Sequence, residues 1–248
     1  MKFFKYLAWM ATTLICSLGA RASTSEVLVG VYDLPPHIII PAQGTPQGAA
    51  PQFLKKYVFQ KSSLKIHWVA AHFARTMIDL ENGRLDMVLL VAKTSERENK
   101  YIFSESPLYQ TQSGIVVKKD FKIQKIQSLH DLQGLSLGHD LGSIVPDYFK
   151  ETGVKFHFVS GQDYFKRNLR LLRSGRIDGF FVPTFSHGLY KLKKDHLLSE
   201  FSILEIPARP LKLYIIFGKK TDPQLIKAVN TALKNHGDQY LKILHQLL

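Results

Sequence analysis

The sequence predicts an α/β protein of two lobes, and two matching segments are the main reason. "FARTMIDLENGRLDMVLLV" puts Phe73, Met77 and Leu80 at i, i+4 and i+7, then Gly83, then a strand apolar on both faces. "YFKRNLRLLRSGRIDGFFV" repeats this with Phe165, Leu169 and Leu172, then Gly175, then a second apolar strand. Each reads helix, Gly-Arg-apolar-Asp, strand. The glycine suits a left-handed helix end, and the doubly apolar strand suits a parallel sheet covered by helices. Two such units, well separated in the chain, predict two α/β lobes.

The other elements follow in order. Lys2 and Lys5 form a positive start, Tyr6 to Leu18 a short apolar run, and Ala20-x-Ala22 a small-residue site for cutting after Ala22. That is the pattern of an export signal over residues 1–22. A lipoprotein cut at Cys16 is disfavoured, because the bulky Ile15 precedes it. "EVLVGVY" (Glu26–Tyr32) reads as a strand stopped by Pro35 and Pro36. "PAQGTPQGAAP" is turn-rich, "PQFLKKYVFQ" helical, and "LKIHWVA" a second strand. "SGIVVKK" (Ser113–Lys119) is a strand, and "SLHDLQG" begins with Ser128 as a helix cap and Asp131 three residues on. "LSLGHDLGSIVPDYF" reads as a strand, a glycine turn and the start of a helix near Ser143. Towards the end come a strand in "PLKLYIIFGKK", a helix in "TDPQLIKAVNTALKNHG" capped by Thr221, and a last amphipathic helix in "YLKILHQLL".

Composition excludes several classes. The 248 residues carry a formal charge of +13, and removing the three cations and no acid of residues 1–22 leaves +10. Such a surface favours anionic ligands or surroundings. The lysines are scattered over helix faces and no nucleic-acid motif is present, so no nucleic-acid partner is expected. Cys16 is the single cysteine, so the mature chain has no disulfide, thiolate metal site or cysteine nucleophile. The histidines show no metal-binding spacing, and phosphate-binding glycine motifs are missing. No metal and no cofactor is expected.

Two stretches, taken in order behind the export signal, carry a resemblance. They are "LENGRLDMVLLVAKTSERENKYIFSESPLY" and "SLHDLQGLSLGHDLGSI". They resemble the type II periplasmic solute-binding proteins, in particular extracellular family 3, which serves polar amino acid uptake; the likeness runs from about Val27 to the C-terminus. The resemblance implies two α/β lobes joined by two hinge crossings, near "YQTQSG" and "LEIPAR", with the ligand between them. It divides the chain into lobe one at 26–110 and 208–248, and lobe two at 111–207. It also implies a monomer in the periplasm that takes a small carboxylate solute and works with a membrane permease or a sensor protein.

In the Thr94-x-x-Arg97 motif, the resemblance gives Arg97 the ligand's carboxylate, and a guanidinium fork suits that task. Gly142 and Ser143, placed before the expected helix, would offer free N–H groups to an anion. Phe73 is either an aromatic wall of the pocket or a core residue, and Tyr32 and Asp33 end the first strand at the cleft.

The chain also departs from the family pattern. Pro183 stands where the family commonly has an aspartate for the ligand's ammonium, and Ala92 and Lys93 stand where a serine or threonine is usual. An ordinary amino acid is therefore not expected unless Asp33 replaces the missing charge. Two rival readings are an enzyme on the same fold, similar to cyclohexadienyl dehydratases with Asp33 or Glu105 moving a proton, and a sensor subunit docked on a membrane partner.

Overall fold

A computed structural model describes residues 26–60, 62, 64–161 and 164–248. The export signal read over residues 1–22 lies outside them. Among the described residues no helix is long and apolar enough to cross a membrane.

The chain builds two sheets, each with its own core. The first holds β1 (Glu26–Val31), β2 (Lys65–Ala70), β3 (Met87–Ala92), β4 (Ile102–Phe103), β5 (Tyr109–Thr111) and, after a long excursion, β11 (Leu211–Phe217). Its order is β2-β1-β3-β11-β4, with β5 also beside β11. β1 runs parallel to β2 and β3, and β11 runs antiparallel to its neighbours. The second sheet holds β6 (Gly114–Lys118), β7 (Ser136–Asp140), β8 (Lys155–Val159), β9 (Gly179–Val182) and β10 (Phe201–Glu205), in the order β10-β6-β9-β7-β8. This is the two-lobed type II periplasmic binding fold.

Helices cover the sheets: α1 (Ala49–Leu54), which widens into a π-helical turn over Lys55–Phe59, α2 (Phe73–Glu81), α3 (Ser95–Lys100), α4 (Tyr164–Arg173), α5 (Phe185–Lys194) and α6 (Pro223–His245). The apolar strands β3 and β9 are buried along their whole length, as covered strands require.

The repeated Gly-Arg-apolar-Asp segments do the same job in both lobes. Gly83 (φ 70°) and Gly175 (φ 68°) take the left-handed conformation that ends α2 and α4. The aspartate three residues on then ties the next strand to its parallel neighbour. Asp86 Oδ2 accepts from the Leu28 N–H at 2.7 Å, and Asp178 Oδ2 accepts from the Ser136 N–H at 2.8 Å. Each aspartate also donates its own N–H to the carbonyl of that same partner residue. The aspartate is thus a register pin, and the sequence repeat is a repeat of this function.

Three local readings are corrected. No helix begins at Ser143: only a three-residue 3-10 turn (Asp147–Phe149) follows, because Pro146 holds Val145 away from helical geometry. "SLHDLQG" also makes only a 3-10 turn, Leu129–Leu132, although Asp131 does accept from the Ser128 N–H. The last two expected helices are one, α6, which runs through Gly237 because its apolar stripe continues to Leu244. Its cap is Asp222, whose side chain accepts from the Gln224 N–H, while the Thr221 hydroxyl donates to the Asp86 carbonyl.

Candidate ligand-binding cleft

The loops at the strand ends of the two sheets face each other and enclose a cleft of about 320 Å³. Tyr32, Asp33, Phe73 and Arg97 line it from lobe one, and Asp140, Ser143, Tyr164 and Pro183 from lobe two.

Arg97 is held by its own turn. The Thr94 hydroxyl caps α3 by accepting from the Arg97 N–H at 3.2 Å. This sends the side chain back along β3, where Nη1 donates to the Ala92 carbonyl at 3.0 Å. Nη2 crosses the cleft to the Gly142 carbonyl at 3.1 Å. The guanidinium also lies 5.4 Å from the centre of the Phe73 ring, a cation–π contact. Two of its five donors are thereby used, and three are left. Among the described residues no carboxylate forms an ion pair with it, although burial lowers its pKa from the usual value. A half-buried, oriented arginine lacking an acid partner among the described residues is equipped for an acid from outside.

Tyr32 extends this wall. Its hydroxyl donates to the Leu90 carbonyl at 2.7 Å, and its ring meets Phe73 edge-on at 4.8 Å. Leu90 has φ 59°, a left-handed conformation that costs energy for a residue with a side chain. The strain sits beside a shift of register in the β11 pairing, and it turns a strand carbonyl to the phenol.

Gly142 and Ser143 act differently from the sequence reading. With no helix behind them, they present no helix end to an anion. Gly142 offers a carbonyl to Arg97, and the Ser143 hydroxyl donates to Asp140 Oδ2 at 3.3 Å. Gly142 has φ 85°, and a Cβ there would lie 3.0 Å from the Cβ of Ala74 on the opposite lobe. Gly142→Ala is expected to cost the fold about 1 kcal/mol. It should also weaken every bound solute several-fold by crowding the closed mouth, a loss that calorimetry with several solutes would reveal as uniform.

The remaining predicted residues divide. Phe73 is both wall and core, at 7% exposure. Thr94 positions Arg97 and does not line the cleft. Pro183 does line it, and its carbonyl accepts from the Ser113 hydroxyl. Asp33 lines it with Lys191 of α5 at 4.0 Å, so lobe two supplies this acid with a counter-charge. Glu105 lies outside, exchanging hydrogen bonds with Asn230 on α6.

Sequence reasoning missed Asp140. It ends β7, and among the described residues the serine hydroxyl is its one side-chain hydrogen bond. Burial raises its carboxyl to about 7. The signal was an acid at the end of a buried strand beside a Gly-Ser turn, but only the fold shows that this end faces Arg97's cleft.

Also missed were two histidines that join the lobes behind Pro35. His37 of lobe one accepts or donates on both ring nitrogens, to Tyr240 at 2.7 Å and to Ser186 of α5 at 2.8 Å. His187 of α5 meets the Pro35 carbonyl at 2.8 Å through Nδ1, while its Nε2 has no partner among the described residues. Desolvation lowers their pKa values to about 3 and about 4 respectively, so both are neutral at ordinary pH.

Comparison with known proteins agrees with the fold. Residues 27–245 match the family described as bacterial extracellular solute-binding proteins, family 3. The arginine-binding extracellular protein ArtP of Bacillus subtilis (strain 168) is 29% identical over 188 residues, which is 75% of this chain and 71% of that protein. An ancestral arginine-binding protein solved with arginine bound aligns with a TM-score of 0.73 at 25% identity, covering 90% of this chain and 98% of that one. The ancestral amino acid-binding protein AncCDT-1, described as a precursor of cyclohexadienyl dehydratase, has the same fold, with a TM-score of 0.72 at 23% identity over 90% of this chain and 95% of that one.

Proposed function

Because the chain belongs to the bacterial extracellular solute-binding proteins of family 3, we propose that it closes its two lobes on a small carboxylate-bearing solute of the amino-acid type, for delivery to an ABC-type permease. The observation that carries the reading is Arg97, oriented in the cleft by carbonyls of both lobes and left with donors for a carboxylate. The printed names of the relatives, arginine-binding and amino-acid-binding, support the solute class. The chain is exported, is cut after Ala22 and acts as a monomer in the periplasm. The dehydratase-like alternative loses one of its two candidate acids, since Glu105 is outside the cleft, and the other, Asp33, stands beside Lys191.

Native mass spectrometry of protein purified under mild conditions tests the reading. It is expected to show a one-to-one complex with a small acid. A thermal-shift screen of the twenty amino acids and their deaminated analogues should then find stabilisation by at least one of them. No stabilisation by any carboxylate would refute it.

A further inference from the structure

We propose that Asp140 is the cation-reading pole of the cleft, so that the solute carries a protonated nitrogen together with its carboxylate. The proposal rests on the solute-capture reading above and adds to it a residue and a charge.

Asp140 is placed for the task by the sheet. β7 runs parallel to β9 with Leu137 opposite Gly179 and Gly138 opposite Phe180. Continuing that offset sets Asp140 level with Val182, beside Pro183, at the same edge of the lobe-two sheet. The proline leaves that edge without a charge on β9, and the neighbouring strand supplies one. Asp140 then lies in the same cleft as Arg97. Tyr32 lines the cleft with them; burial is the main obstacle to its ionisation, with Arg97 easing it and Asp140 opposing it.

The carboxylate is poorly compensated by the protein. Ser143 gives it a single long hydrogen bond, and no lysine, arginine or histidine nitrogen pairs with it among the described residues. Asp33, the other cleft acid, has Lys191. The rings of Tyr32 and Tyr164 line the same cleft as Asp140, and aromatic faces in a site favour a cation. A half-buried acid with such neighbours gains most from a partner that brings its own positive charge.

Binding is then linked to a proton. Burial holds the Asp140 carboxyl at about 7. A bound cation stabilises the ionised form, so binding expels the proton from Asp140 to solvent where it was present. Affinity is full above that pKa and is lost as pH falls below it. The other charged or titratable groups on the cleft wall are Arg97 of α3, Asp33 and Tyr32 after β1, His72 before α2, Tyr164 of α4, and Lys191 and Lys194 of α5.

Calorimetry with the twenty amino acids, and with the acid of the same skeleton stripped of every cationic nitrogen, tests the proposal. For an amino acid that binds, the stripped acid is expected to bind tenfold or more weakly at pH 8. Affinity for the amino acid should fall about tenfold or more between pH 8 and pH 5.5. Asp140→Asn should lose both the preference and the pH response. It should also melt higher than the unsubstituted protein at pH 8, which separates lost recognition from lost folding. Stripped acids that bind as tightly as amino acids overturn the proposal and leave solute capture standing. A pH response that persists in Asp140→Asn also overturns it. Failure of every carboxylate to bind removes both readings.

Discussion

Arg97→Ala is expected to weaken the tightest-binding carboxylate of an amino-acid panel by about 2–5 kcal/mol, from roughly thirtyfold to several thousandfold. The side chain is oriented at three points: the Ala92 carbonyl, the Gly142 carbonyl and the Phe73 ring. Its loss therefore removes the guanidinium fork held in the cleft. The same bonds give the arginine a modest structural role that the sequence did not suggest, and the melting temperature should drop by the equivalent of roughly 1–2 kcal/mol. Arg97→Lys should recover little of the binding, since a single ammonium cannot reproduce the fork. Calorimetry showing unchanged affinity in Arg97→Ala would remove the carboxylate site.

The second large effect is acid sensitivity. His37, His139 and His187 are wholly buried, and desolvation lowers their pKa values to about 3, about 4 and about 4. A histidine whose folded pKa lies below its unfolded value stabilises the fold above the unfolded value, near 6.5, and loses that contribution as pH falls towards the folded one. Asp140 works in the opposite direction, because its raised pKa favours the protonated, folded form as pH drops below about 7. Three groups oppose one, so the net loss between pH 6.5 and pH 5 is about 3 kcal/mol. The melting temperature should fall by about 10 °C over that interval. The carboxylates of Asp79, Asp131 and Glu200, held below their usual range by hydrogen bonds and ion pairs, titrate outside this window. Melting curves that stay level from pH 6.5 to pH 5 would contradict the burial of these rings.

The parts of the fold that were legible in the sequence were those set by neighbouring residues. The Gly83 and Gly175 turns and the apolar runs of β3 and β9 follow from local period and backbone preference. Arg97 was legible because its motif carries its own cap, Thr94. The helix expected at Ser143 failed because Pro146 weighs more than a favourable glycine turn. Asp140 and the histidines were illegible for another reason. His37 meets Ser186 across 149 positions and Tyr240 across 203, distances at which no periodicity speaks. Asp140 looks like any strand-ending acid until the second lobe arrives opposite.

The contacts that bring the lobes together are largely not those that would read a solute's variable part. His37 meets Ser186, His187 meets the Pro35 carbonyl, and Arg97 meets the Gly142 carbonyl. Of the side chains among these, only Arg97 lines the cleft, and a carboxylate is common to many small acids. The Asp33–Lys191 pair also spans the lobes and lines the cleft, so closing and choosing are divided between different residues only in part. A lineage carrying this scaffold can exchange its cargo by changing Asp140, Phe73 or Tyr164 while the machinery of closure is inherited intact. The division makes the cleft easy to retune, one wall residue at a time.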